Sequence, residues 1–170
     1  MLKISDRLTA ESPCLRENEC SLIKSFYEQL DDELQNFTLP AEALIRTCNF
    51  IDFQSINGIV TCIGGLRNEN NLFLITIKAY QGRGSGQEVL QRIIQRAKKE
   101  NNTHIHLTVF KDNEPAIHIY EKYGFRKISS IKVDTKDSYY MIKSLSFKGH
   151  FIFIIERFLS VLGKFFSSNR

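Results

Sequence analysis

The chain has 170 residues, of which 42% are hydrophobic and 25% are charged, and its formal net charge is +4. This length and composition are ordinary for one globular domain with a full core, and they exclude a disordered or fibrous chain. No block of five or six like charges occurs, so the charge pattern does not demand nucleic acid, and we expect no nucleic-acid partner.

Cysteine and histidine spacing argues against a metal site. The four cysteines include no C-x-x-C pair, and the four histidines show no H-x-x-x-H spacing. His104 and His106 share one face of a predicted strand, but no carboxylate or cysteine partner is evident nearby. The thiols look unpaired, and the first ten residues are charged where a signal peptide would be apolar. We therefore predict no metal and a cytoplasmic location.

The first third of the chain predicts a strand followed by two helices. Residues 2–8 have strand character, and residues 17–35 place apolar side chains at helical spacing. Asp31, Asp32 and Glu33 stand late in that helix, where negative charge opposes the helix dipole. They are either a solvated helix end, the reading we favour, or an acidic lip that collects a cationic amine. Pro40 begins a second short helix that reaches about Thr47.

The next segment predicts three antiparallel strands. Residues 50–56 and 59–66 flank Asn57-Gly58, and Asn-Gly supplies the two positive φ angles that a type I′ hairpin turn requires. A second turn over residues 68–71 returns the chain to an apolar run from Leu72 to Ile77, which predicts a buried strand.

That buried strand runs into the glycine-rich loop QGRGSG, residues 81–86. Its three glycines allow positive φ and let an outside group approach the backbone N–H donors. Ser85 and Glu88 stand three apart as a capping box that opens a helix. The unpaired N–H groups and the positive end of the helix dipole predict an anion site, most simply for phosphate. The loop is neither a P-loop nor a dinucleotide fingerprint, because it lacks Gly-Lys-Ser/Thr and has Gln87 where the fingerprint needs glycine.

A second motif follows about thirty residues later. Residues 104–110 alternate as a strand, and NEPAIHIYEKYGF, residues 113–125, has the pattern of a capped helix. Asp112 or Asn113 can cap it, Pro115 suits its first turn, and Gly124 ends it. Residues 126–133 and 138–144 then predict a final strand pair.

The two motifs together resemble the GNAT acetyltransferase family. Gln81-x-x-Gly84-x-Gly86 is similar to the family's Q/R-x-x-G-x-G/A signature, and residues 113–125 are similar to its N-x-x-A-x-x-x-Y-x-x-x-G-F motif. The resemblance implies an α+β fold, the GNAT acyl-CoA N-acyltransferase fold, with a mixed, mostly antiparallel central sheet flanked by helices. It covers roughly residues 2–145, so we expect a GNAT domain over residues 1–146.

The tail departs from this family pattern. Residues 151–166 place Phe151, Ile154, Ile155, Phe158, Leu159, Leu162 and Phe166 on one side of a predicted amphipathic helix within residues 147–170. At about 24 Å this helix is too short to cross a hydrocarbon core of about 30 Å. Packing on the same domain, a homodimer seam and peripheral membrane contact through Phe151 to Phe166 stay open, with the first two favoured.

The resemblance also implies a reaction and a set of residues. It implies an enzyme, an acyltransferase that passes the acetyl group of acetyl-CoA directly to a primary amine, either of a small molecule or of a protein lysine or N-terminus. Tyr120 occupies the family position for the general acid, although it also suits a core aromatic, and Tyr123 is a substitute. The cofactor-binding residues implied are Ile75, Thr76, Ile77, Gln81, Gly82, Arg83, Gly84, Ser85, Gly86, Asn113 and Tyr120.

Three parts of the function stay open at the level of sequence. The general base is Glu28, Glu33, Glu69, Asp134 or a water chain, and spacing does not choose among them. The acceptor has no readable code, although Tyr139 and Tyr140 are candidates to line its site, and a longer acyl donor than acetyl is not excluded. The alternative function is a non-catalytic acyl-CoA-binding module whose apolar tail recruits a membrane or a partner.

Overall fold

The computed structural model of the chain describes residues 15–31, 39–133, 135–146 and 154–155. Within these ranges it contains the helices α1 (Glu17–Tyr27), α2 (Ala41–Thr47), α3 (Ser85–Lys99) and α4 (Glu114–Lys122). It also contains the strands β1 (Cys48–Ile56), β2 (Ile59–Arg67), β3 (Asn71–Thr76), β4 (His104–Phe110), β5 (Arg126–Val133) and β6 (Lys136–Ser144). None of the described helices has the length and apolarity needed to cross a lipid bilayer.

The six strands form one mixed sheet in the order β1-β2-β3-β4-β6-β5. All neighbours are antiparallel except β3 and β4, which are parallel and are connected through α3. The Asn57-Gly58 turn joins β1 to β2 with φ angles of 52° and 78°, which confirms the predicted type I′ turn. The mixed, mostly antiparallel sheet is the predicted α+β fold.

Helices cover both faces of the sheet. On what we call the α1 face, α1 and α2 pack on Ile51, Ile63 and Ile75. On the opposite side, the α3 face, α3 and α4 pack on a cluster that includes Phe50 and Leu66. Successive side chains of a strand point to opposite faces, so the alternation along β3 and along β2 from Cys62 to Arg67 assigns these residues to one helix layer or the other.

The first helix is shorter than its sequence pattern. It ends at Tyr27, and the amides of Gln29 and Leu30 then bond to the carbonyls three residues back, which tightens the chain into a turn. Leu30 is still buried, so its apolar spacing reflects packing and not continued helix. The predicted strand at residues 2–8 lies outside the described residues, as does the predicted tail helix apart from Ile154 and Ile155, which are exposed.

Candidate active site

A cleft of about 690 Å³ opens where β3 and β4 separate. The two strands are paired only through Asn71 and His106 at their N-terminal ends, and beyond that point they diverge. The cleft is lined on the α3 face by the glycine loop and α4, and on the α1 face by Tyr27 at the end of α1 and by Leu44 of α2. One continuous space therefore runs from one face of the sheet to the other.

The backbone of β3 presents free polar groups to this cleft. The Ile77 amide donates to the Thr61 carbonyl at 3.0 Å, so Ile77 and Ile75 turn their backbone groups toward β2. Because hydrogen-bonding direction alternates along a strand, Leu74 and Thr76 turn theirs toward the gap. The Thr76 carbonyl accepts from the Gln81 side chain at 3.2 Å. Of the predicted range 75–77, Thr76 is thus the residue whose main chain faces the cleft.

The glycine loop owes its shape to backbone conformation. Gly82 and Gly84 have φ angles of +73° and +88°, and a Cβ at either would meet nothing within 4 Å. Glycine is required there because the left-handed conformation is costly for other residues, not because space is short. Gly84 is the N-cap of α3, its carbonyl accepting from Gln87 and Glu88, and no side chain caps the helix. The predicted Ser85 capping box was wrong, since Ser85 is already the first helical residue.

The loop has the features of an anion site. Among the described residues, the amides of residues 82 to 86 donate to no acceptor, and they lie in the loop and first turn that begin α3. Free N–H groups at the positive end of a helix dipole are an arrangement that suits phosphate groups. A Cβ on Gly86 would stand 3.4 Å from Thr76 Oγ1, so the helix start lies close against β3. Arg83 is exposed at the rim, with its guanidinium 5.3 Å from the ring centre of Tyr80.

Tyr120 lines the cleft from α4. Its side chain is 8% exposed, and its ring packs edge-on against Phe125 with centroids 5.6 Å apart. Burial, together with the Cys62 thiol, raises the pKa of the phenol above its ordinary value, so the hydroxyl keeps its proton at neutral pH. Asn113 also lines the cleft and caps α4 by accepting from the Ala116 amide at 3.2 Å. Tyr123, at the end of α4, does not line the cleft.

The α1 side of the cleft is uncharged apart from one arginine. Tyr27, whose hydroxyl donates to the Leu39 carbonyl at 2.6 Å, forms one wall there, and Thr108 lies on β4 opposite. Arg67 is the sole charged residue among the described residues that line the cleft. A cation in a site without a counter-charge points to an anionic ligand.

Neither of the general-base candidates that the structure describes lines the cleft. Glu28 and Glu69 are exposed and do not line the cleft, while Glu33 and Asp134 lie outside the described residues. Tyr140 is hydrogen-bonded to His106, with 2.7 Å between Oη and Nδ1, and neither it nor Tyr139 lines the cleft. Across the described ranges, no group of three or more His, Cys, Asp or Glu side chains has the arrangement of a metal site.

Several cleft residues escaped the sequence analysis. The Leu74 main chain was missed, although the hairpin register and strand alternation together would have selected it. Gln87 lines the cleft and accepts from Lys122 Nζ at 3.1 Å, which ties α3 to α4. Arg67 and Asn71 carry no local motif, and their approach to the cleft depends on where the two parallel strands part.

Comparison with known proteins agrees with this geometry. The family model described as acetyltransferase (GNAT) family matches residues 17–125, which is more than half of the chain. The chain therefore belongs to the GNAT acetyltransferase family. A search of curated protein sequences gives no significant match.

Solved structures show the same fold at low identity. The ribosomal-protein-S18-alanine N-acetyltransferase from Escherichia coli is 16% identical with a TM-score of 0.62, covering 78% of this chain and 92% of its own. Arabidopsis thaliana Naa50, in complex with a bisubstrate analogue CoA-Ac-MVNAL, is 22% identical with a TM-score of 0.62, covering 76% and 95%. The yncA protein from Salmonella typhimurium, with its cofactor acetyl-CoA, is 17% identical with a TM-score of 0.58, covering 76% and 90%.

Proposed function

We propose that the protein is an N-acetyltransferase that moves the acetyl group of acetyl-CoA directly to a primary amine. Membership of the GNAT family and the presence of acetyl-CoA or a CoA conjugate in similar structures support acetyl transfer. The observation that carries the proposal is the cleft itself, which joins an anion-binding loop and a protonated phenol on the α3 face to an open wall on the α1 face.

The polar groups of the glycine loop and of β3 suit successive parts of acetyl-CoA. The free amides of residues 82 to 86 suit its diphosphate, and the outward main-chain groups of Leu74 and Thr76 suit the amides of its pantetheine arm. When bound, acetyl-CoA supplies a thioester that a neutral amine can attack. Holding the two reactants in line converts a bimolecular step into a unimolecular one, worth up to about 7–11 kcal/mol in favourable systems.

Two groups of the protein are then placed to assist. A free N–H on β3, with Leu74 as the candidate, polarises the carbonyl oxygen as negative charge develops on it. Tyr120 donates its phenolic proton to the departing thiolate. The phenol is protonated at neutral pH because burial raises its pKa. The ammonium form of the acceptor loses its proton to solvent or to a group outside the described cleft residues.

The test measures the release of free CoA thiol from acetyl-CoA in the presence of each member of a panel of amine acceptors. Polyamines, aminoglycosides, amino acids and lysine peptides are assayed with wild type and Tyr120→Phe, which removes the hydroxyl and keeps the ring. We expect turnover with one acceptor class and a kcat about 10²–10⁴-fold lower in Tyr120→Phe. Tyr123→Phe is the matched control because it lies one turn away and does not line the cleft.

Binding of acetyl-CoA, followed by thermal shift, separates the two functions under consideration. Binding that persists in Tyr120→Phe while turnover is lost supports the enzyme. Binding without turnover on any acceptor favours the non-catalytic acyl-CoA module. No binding at all refutes the cofactor assignment, and with it both functions.

A further inference from the structure

Arg67 occupies the closed end of the cleft. It is the last residue of β2 and is paired with Asn71, the first residue of β3. Asn71 is in turn paired with His106 on β4, so Arg67, Asn71 and His106 stand in one row across three neighbouring strands. Paired residues share a face, and alternation from Ile63 places this row on the α1 face.

The charge of Arg67 is not compensated. Its side chain makes no hydrogen bond or ion pair with any described residue, and its Nε is buried without an acceptor. Arg92, by contrast, bonds to Asp52 at 2.8 Å. Glu69 stands two residues along the chain but is exposed and forms no ion pair with Arg67. A partly buried guanidinium without a counter-charge is costly, and Arg67 lines the cleft, so an anion that enters the cleft can pair with it.

His106 contributes a second unsatisfied group to the same row. Its Nε2 is buried without a hydrogen-bond partner among the described residues, while Nδ1 is 2.7 Å from the Tyr140 hydroxyl. When that hydroxyl donates to Nδ1, the ring carries its hydrogen on Nε2. Neighbouring strands lie about 4.8 Å apart, so the Cα atoms of Arg67 and His106 are about 10 Å from each other with Asn71 between them.

We propose that Arg67 binds a carboxylate carried by the amine acceptor, while His106, which does not line the cleft, closes the row behind it. This rests on the proposed function and names its substrate class: an amine that bears a carboxylate, and not a plain polyamine or aminoglycoside. The geometry favours it because the described cleft lining contains no carboxylate to neutralise Arg67, and because Arg67 and Asn71 lie on the face away from the glycine loop. An arginine fork pairs with a carboxylate more strongly than with a neutral amide.

The carboxylate has two sources with the same chemistry. It is either the carboxylate of a free amino acid or an acidic side chain near the amine of a peptide. Leu74 is three residues from Asn71, about 10 Å along the strand, and the arginine side chain spans part of that distance. A series of ω-amino acids from glycine to 6-aminohexanoate therefore reports the amine-to-carboxylate spacing that the cleft accepts.

The experiment compares each carboxylate with its uncharged isostere. The ω-amino acids are measured against their carboxamides, and peptides with Asp beside the N-terminal residue are measured against the Asn forms, for wild type, Arg67→Gln and Arg67→Lys. We expect a kcat/KM about 10–100-fold higher for the preferred carboxylate in wild type. We expect Arg67→Gln to remove that preference through KM, and Arg67→Lys to keep part of it.

Matched controls separate this effect from damage to the fold. Arg46→Gln removes an exposed arginine of α2 whose Nε bonds only to the Glu42 carbonyl, and it should leave the preference intact. The affinity for acetyl-CoA should be the same in all these variants. The unfolding temperature of Arg67→Gln should not fall, because the substitution removes an unpaired charge.

Equilibrium binding to the acetyl-CoA complex distinguishes failure of this inference from failure of the proposed function. Carboxylates that bind better than carboxamides in wild type, and equally in Arg67→Gln, support the Arg67 site even if no acceptor is turned over, an outcome that would refute only the transferase activity. Turnover with no preference for the carboxylate in wild type overturns the inference and leaves the transferase intact. Binding with no such preference also overturns the inference, whether or not any acceptor is turned over.

Discussion

The side-chain amide of Gln81 donates to the main-chain carbonyl of Thr76 across 3.2 Å. This bond fixes the start of the glycine loop to the end of β3, because Thr76 is the last residue of that strand and its carbonyl points into the cleft. The bond therefore fixes the free amides of the loop relative to the outward main-chain groups of β3.

Removing this bond should weaken acetyl-CoA binding more than it weakens the fold. A hydrogen bond of this kind contributes about 1 kcal/mol, so we expect Gln81→Ala to raise the Kd for acetyl-CoA about fivefold. The unfolding temperature should change little because Gln81 is exposed. Gln95→Ala, an exposed glutamine of α3 that does not line the cleft, is the control in the same titration. An equal Kd in the two variants would remove any role for the Gln81 bond.

Gly84 and Gly58 provide a matched pair for the role of the loop. Both have positive φ, +88° and +78°, and a Cβ at either would meet nothing within 4 Å. Alanine at each site should therefore cost a similar 1–2 kcal/mol of stability, about the penalty of a left-handed conformation. Only Gly84→Ala should weaken acetyl-CoA binding, by about tenfold, because only Gly84 belongs to the anion site.

Measurement of unfolding by denaturant and of acetyl-CoA Kd on both variants tests this assignment. If Gly58→Ala lowers acetyl-CoA affinity as much as Gly84→Ala does, the effect comes from global destabilisation. The glycine loop would then not be the diphosphate site.

Sequence reasoning was most accurate where local patterns decide the structure. The Asn57-Gly58 turn and the strand at residues 104–110 were predicted and are present, and of the two predicted caps of α4, Asp112 or Asn113, the structure has Asn113. Turn chemistry and alternation are read from adjacent residues. The start of α3 was placed correctly, but its cap was not. The N-cap is Gly84, which has a left-handed backbone conformation and no side chain to cap the helix. The sequence pattern did not predict this cap because it does not give the φ angle.

Apart from Ile75, the predicted site residues that line the cleft belong to its α3 side or to the strand backbone. The glycine loop and Tyr120 belong to motifs, and all but Ile77 and Arg83 of the predicted site residues line the cleft. The α1 side depends on the row of Arg67, Asn71 and His106, which joins residues up to 39 positions apart in the chain through two strand registers. Such long-range pairing cannot be read from periodicity, and it is where the acceptor chemistry is now proposed.

The protonation of Tyr120 predicts the alkaline side of the pH profile. Burial raises the pKa of this phenol above its ordinary value of 10.0, so the proton donor stays intact through pH 10. We expect kcat for the acetyl transfer to show no downturn between pH 7 and pH 10 that depends on Tyr120. The plots of log kcat against pH for wild type and Tyr120→Phe should run parallel across that range, with the variant lower because it lacks the acid. A downturn near pH 9 present only in wild type would show that the phenol ionises there and is not shielded.

His106 predicts how stability changes with acid. Burial lowers the pKa of its imidazole below the ordinary value of 6.5, and the nearby His104 and Arg67 charges lower it further, against the opposite effect of Glu69. The unfolded chain therefore binds a proton at His106 before the folded chain does. By linkage, the stability that comes from neutral His106 is fully present above about pH 6.5 and is lost as pH falls through the folded pKa.

We therefore expect the unfolding free energy of wild type to drop between pH 7 and pH 5, and His106→Asn to show a shallower drop. His106→Asn starts from a lower stability at pH 7, because it loses the bond to Tyr140, so the slope and not the absolute value is diagnostic. His118→Asn, an exposed histidine on α4, is the control and should keep the wild-type slope. Denaturant unfolding at half-unit pH steps measures all three. A slope in His106→Asn as steep as that of wild type would mean that the acid sensitivity arises elsewhere, and that the imidazole paired with Asn71 is not held neutral by its surroundings.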